Sequence, residues 1–145
     1  MNAFDPRTII LARHAQHVVL VHFPIAAFIT AVGFDCAAHW TKQPGLAAAA
    51  YFNLLVAAIS TIPVIGTGLV AWQWALEGQP LKGVLLLHLA LAAASSLMIG
   101  VSWWIHWRQR RRGAPLPVYR LPIEAIAVLV VAATGHLGGV LAGLN

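Results

Sequence analysis

The sequence predicts an all-α fold, a small bundle of four transmembrane helices, on three observations. First, of 145 residues 60% are hydrophobic and only 9% are charged, with a mean hydropathy of +0.79. A soluble domain is nearer ~45–50% apolar and ~25% charged. Second, the apolar residues fall into four blocks at roughly 18–40, 47–75, 83–106 and 121–143, each near or above the ~20 residues that cross a ~30 Å hydrocarbon core as a helix. Third, the breaks at 41–45, 77–80 and 108–120 are polar and rich in Gly and Pro. In lipid every backbone amide must be satisfied internally, which helices achieve. The length suits one domain over 1–145. A soluble enzyme, a disordered chain and a disulfide scaffold are excluded. The lone cysteine, Cys36, permits neither an internal disulfide nor a Cys-based haem, zinc or iron–sulfur site.

The first span follows Arg7 and Arg13, as a secretory signal would. It is longer than a ~7–15-residue signal core and carries His22, Pro24 and Asp35, so it reads as a retained span. Pro24 lies near its start, where proline is tolerated. Pro63 lies inside the second span and is expected to kink it, freeing a carbonyl near Ile59. The third span ends in Trp103, Trp104 and Trp107, with Trp40 at the same level of the first and Trp72 and Trp74 at the far end of the second. Such indoles anchor at headgroup level. The fourth span is rich in small residues, including Gly135, Gly138, Gly139 and Gly143. They permit close helix approach or make room for a flat cofactor.

Charge sets an expected orientation. Arg108, Arg110, Arg111, Arg112 and Arg120 occupy the third connection, and Lys42 the first, on the same side. The positive-inside rule places that side in the cytoplasm and both termini in the periplasm. The chain is then a multi-pass protein of the bacterial inner membrane. Its basic excess speaks to membrane orientation and lipid contact, not nucleic acid.

Seven histidines beside four acids are unusual here, since ionisable groups in a bilayer are costly and tend to be functional. His22, His88 and His136 lie on three spans at similar depth in the periplasmic half, with His17 just above His22. His17 and His22 are about 140° apart on a straight helix, so they are expected to serve different sites. Imidazoles from facing helices in a small-residue bundle suit haem iron. His17, His22, His88 and His136 are therefore the expected metal ligands, with Phe23 as a ring wall and Arg13 as a counter-charge to propionates. The alternative for each histidine is a neutral ring hydrogen-bonded across helices. His14 is read as interfacial, as are His39 and His106. The last two are also near enough to Asp35 and Glu124 to form a polar cluster or proton entry, and Asp35 to His39, at i and i+4, is the simplest local bond. A carboxylate-bridged di-iron site is excluded, because Asp5, Asp35, Glu77 and Glu124 are all expected away from the histidine depth.

The run His17-Val-Val-Leu-Val-His22-Phe23-Pro24-Ile25-Ala26 followed by Phe34-Asp35 resembles the opening of the DUF2231 family of bacterial membrane proteins. Gly66-x-Gly68-Leu69 with Trp72, His88, and Gly135-His136-Leu137-Gly138-Gly139-x-Leu141 are similar to its later motifs. The last of these marks a subset joined to cytochrome c-like domains. The resemblance implies a four-helix unit in an electron-transfer setting. The chain stops at Asn145, so no attached cytochrome c module is expected.

The functional expectation is a b-type cytochrome with one or two haems in the periplasmic half, an electron carrier rather than a catalyst. It would exchange electrons with a quinone or a periplasmic cytochrome c, alone, as a homo-oligomer or within a respiratory complex. The alternatives are a haem-free structural or assembly subunit of such a complex, and a small histidine-based proton relay or transporter.

Overall fold

The computed structural model describes residues 15–143. Helices account for its regular structure, and no strand occurs among the described residues. The first span is built in two pieces, α1 (Ala15–Leu20) and α2 (His22–Thr41). It is followed by α3 (Pro44–Trp74), α4 (Gly83–Arg112) and α5 (Arg120–Leu141). Four runs are long and apolar enough to cross a membrane: Gln16–Thr41, Pro44–Trp74, Gly83–Arg112 and Arg120–Leu141. The shortest has 22 residues, about 33 Å at 1.5 Å per residue.

The surface chemistry is inverted relative to a soluble domain. Ile62 and Leu129 are each 70% exposed, and Leu97 is 68% exposed. Asp35, Ser95, Ser102, His106, Arg120 and Glu124 are buried. Apolar residues face outward where lipid would lie, and polar groups gather within. The chain is a multi-pass membrane protein.

The four spans form a ring of neighbours. α2 packs along α3 and α4 along α5, while α3 meets α4 and α2 meets α5. Short connections and alternating directions make this an up-down-up-down bundle. All the buried positions but Ile105 of α4 share one spacing. They are Pro24, Phe28, Ala31, Asp35 and Ala38 on α2; Ala50, Leu54 and Ala57 on α3; Ser95, Ile99, Ser102 and His106 on α4; and Arg120, Glu124, Ala127 and Val131 on α5. Steps of four and three residues give the narrow seam of near-parallel helices. Phe28, Leu54, Ile99 and Val131 fill the middle of the bundle, with Ala31, Ala57 and Ala127 allowing close approach.

Three boundaries correct the sequence reading. The first span keeps helical backbone through Val21 (φ −60°, ψ −25°) but lacks one ladder hydrogen bond beside it, which divides α1 from α2. Pro24 lacks an N–H, so the Leu20 carbonyl loses its helical partner and is crowded by the pyrrolidine ring. The third span does not end near 106, since α4 continues to Arg112. Its arginines lie over aromatic faces: Arg108 over Trp104 at 5.0 Å, Arg111 over Trp107 at 5.6 Å and Arg110 over Tyr51 of α3 at 4.8 Å. These cation–π contacts carry the helix beyond its apolar stretch. It stops at Gly113, whose φ of 60° is the left-handed cap that glycine accepts. The first connection shrinks to Lys42 and Gln43, because Pro44 opens α3 at a position where its missing N–H costs nothing. α3 itself runs on through Pro63.

Candidate functional site: a histidine-lined cavity and a buried ion network

At the end of the bundle where α1 meets α2 lies a cavity of about 410 Å³, within the ~300–1,000 Å³ typical of small-molecule sites. Its walls are mostly apolar and its side is opened by Gly135, Gly138 and Gly139 of α5. Three histidines line it: His17, His22 and His88. His17 and His22, five residues apart on the first span, both line this space.

Each imidazole is held by its Nδ1. His88 Nδ1 lies 3.2 Å from the Thr134 carbonyl, and His22 Nδ1 lies 2.7 Å from the Val18 carbonyl. A carbonyl only accepts, so both rings carry their proton on Nδ1. His17 Nδ1 lies 3.2 Å from Thr67 Oγ1. That hydroxyl also lies 2.9 Å from the Pro63 carbonyl and 3.1 Å from the Val64 carbonyl, and its single proton can serve either of them or the imidazole. In His22 and His88 the lone pair is on Nε2. This is the arrangement in which an outer partner fixes a ligating histidine.

Glycines give two of the rings their places. A Cβ on Gly68 would sit 3.0 Å from His17 Cε1, and one on Gly138 would sit 3.3 Å from His88 Cε1. Ser95 and Thr134 complete the polar lining with a 2.8 Å hydroxyl–hydroxyl hydrogen bond.

The other expected site residues fall elsewhere. His136 is exposed and is not among the lining residues. Gly135, Gly138 and Gly139 are three and four residues apart and share the face toward the cavity, which turns His136 off it. Phe23 is 59% exposed and does not line the cavity. Arg13 and His14 lie outside the described residues.

A second constellation lies toward the opposite end. Arg120 of α5 donates to both oxygens of Asp35 on α2, Nε to Oδ2 at 2.7 Å and Nη2 to Oδ1 at 3.2 Å. Its Nη1 reaches back to the carbonyls of Leu116 and Pro117. His106 Nε2 of α4 lies 3.0 Å from Glu124 Oε1 and 3.9 Å from Asp35 Oδ1. All four residues are at most 3% exposed. This corrects three expectations. Asp35 pairs with Arg120 rather than His39, because Asp35 occupies a seam position and points inward. His106 is buried, not interfacial. Arg120 is a core cation, not a loop charge. The missed signal is the shared seam spacing: Arg120 and Glu124 fall in register with Ala127 and Val131, and His106 with Ser102, Ile99 and Ser95.

Compared with known proteins, residues 13–143 match a family described as "Predicted membrane protein (DUF2231)". No curated protein and no solved structure matches the chain. Four apolar spans and a family match over nearly the whole chain agree, and the protein belongs to the DUF2231 family of membrane proteins.

Proposed function

We propose that the protein is a membrane-embedded b-type cytochrome whose histidine-lined cavity would hold one haem, with His88 of α4 and His17 of α1 as the residues that would bind its iron. The observation that carries this reading is the anchoring of the cavity imidazoles: each is held through Nδ1, which leaves Nε2 as the nitrogen for a guest. His17 is chosen over His22 because its ring is tied across helices to Thr67 and packs on Gly68. The bond of His22 is local to its own turn. Among the described residues, Asp35, His106 and Glu124 are the group of three ligand-type side chains with atoms within 4.8 Å of one another. The cavity histidines are spread more widely, which favours a flat, wide guest over a bare ion. When bound, haem supplies one-electron chemistry. The chain's part would be to hold both imidazoles through Nδ1 and to exclude water with an apolar wall.

In this reading the cavity lies in the periplasmic half of the bacterial inner membrane by the positive-inside rule. A quinone or a periplasmic cytochrome c is then the electron partner. The test is a reduced-minus-oxidised optical spectrum of detergent-purified protein expressed in haem-replete cells. A low-spin b-type spectrum with about one haem per chain is expected. His17→Ala and His88→Ala should each lose that spectrum, while His136→Ala should keep it. A colourless protein, or a His88→Ala variant with an unaltered spectrum, overturns the reading.

A further inference from the structure

The ion network at the opposite end of the bundle is separate from the cavity. From Ser102 to Ser95 is two helical turns, about 10 Å along α4, and Ile99, Ala127 and Val131 of the core fill the interval. The four ionisable side chains of the network do not balance in their ordinary states. Asp35 and Glu124 are anions and Arg120 is a permanent cation. With His106 neutral, the tetrad carries one net negative charge. Unpaired charge in a low-dielectric interior costs several kcal/mol, and no other charged side chain neutralises it. α2 brings only Asp35 to the network, with the half-buried Cys36 thiol beside it and His39 one turn on. The buried face of α3 is Ala50, Leu54 and Ala57, with nothing to titrate. On α4 the next cations, Arg108 and Arg110, lie over Trp104 and Tyr51.

From this geometry we infer that the His106–Glu124 pair is a binding site for one exchangeable proton. A single added proton makes the tetrad neutral, whereas a divalent metal ion would leave it one positive charge in excess. The pair offers that proton two seats. One is the imidazole, which then donates to Glu124 Oε1 as an imidazolium across the 3.0 Å hydrogen bond. The other is Glu124 Oε2, which is buried and has no hydrogen-bond partner among the described residues. Ser102 Oγ, likewise buried and unpartnered, lies one turn before His106 on the same face. Arg120 has two tasks. Its fork occupies both oxygens of Asp35, which leaves the exchangeable proton to the His106–Glu124 pair. Its Nη1 connects the network to the carbonyls of the α4–α5 connection, the side from which the proton enters and leaves. The reaction is a simple association: a carboxylate–imidazole pair takes up one proton and no other bond changes.

The experiment uses the full chain in lipid nanodiscs, with ¹⁵N-histidine NMR and infrared spectroscopy in H₂O and D₂O, titrated over about pH 5–10. The expected result is one proton per chain leaving as pH rises, with His106 nitrogen and Glu124 carboxyl signals moving together and shifting on transfer to D₂O. Glu124→Gln should remove the carboxyl signal and uncouple His106, while Arg120→Lys, which keeps the charge, should retain one titrating proton. Should Glu124→Gln fail to fold, the wild-type titration and isotope shift decide alone. Signals that stay flat with pH and do not respond to D₂O would make the network a fixed brace and overturn the inference. So would a divalent metal ion co-purifying at about one per chain and lost in Glu124→Gln. None of these readouts depends on haem.

Discussion

At the residue scale, two kinds of constraint act on the polar interior. The first is pairing. Asp35 is fully buried and its two oxygens are taken up by Arg120. Asp35→Asn leaves the guanidinium without its counter-ion, and a broken buried pair costs about 3–5 kcal/mol. A clear drop in Tm in detergent is expected. The double variant Asp35→Leu/Arg120→Met removes both charges and should recover much of that loss, which thermal unfolding of the single and double variants measures. The second constraint is space. Gly68→Ala puts a methyl 3.0 Å from His17 Cε1 and must push the ring aside, whereas a Cβ on Gly66 meets nothing within 4 Å. Gly68→Ala should therefore reduce haem per chain with little change in Tm, while Gly66→Ala leaves both unchanged. Equal haem content in the two variants would show that the place of the His17 ring does not matter to the cofactor.

At the element scale, what the sequence made legible and what it hid follow different physics. The four spans were readable because hydrocarbon thickness imposes a length and excludes charge. The break at Val21 was not, because Pro24 was read as sitting in a helix's first turn, where its missing N–H is harmless. The chain is already helical at Ala15, so the same proline acts from the interior and cuts the ladder at Leu20. The extension of α4 to Arg112 was hidden for a related reason. Hydropathy marks where the membrane ends, not where the helix ends, and the arginine–aromatic contacts act beyond that border. Pro24→Ala tests the first point. It restores the missing backbone bond and should join α1 and α2 into one ladder, so the amide at position 24 should be protected from hydrogen exchange with no loss of helix content by circular dichroism. A rapidly exchanging amide there would show that the ladder stays open.

At the scale of the whole molecule, the bundle has two polar ends divided by an apolar middle of Phe28, Leu54, Ile99 and Val131. One end holds the cavity histidines and the other the ion network. Histidine depth is legible in the sequence, so the first end shows there. The second shows in part: His106 reads as near enough to Asp35 and Glu124 for a polar cluster, and the two acids do lie 3.9 Å and 3.0 Å from its Nε2. Arg120 is hidden among the flanking arginines of its connection, where proximity in sequence masks its place on the seam. The two ends also give the orientation a consequence: the network opens toward the arginine-bearing connection, so the sidedness of that connection fixes the face on which the His106–Glu124 pair exchanges its proton. Ala114 lies in that connection and Gln79 in the opposite one, and both are exposed. In a Cys36→Ser background, Ala114→Cys should react with an impermeant maleimide only after the cells are permeabilised, and Gln79→Cys should react in intact cells. The excess of Lys and Arg within short connections drives this expectation. The reverse labelling pattern would place the cavity at the cytoplasmic face, where a periplasmic cytochrome could not reach it and a cytoplasmic reductant would have to serve instead.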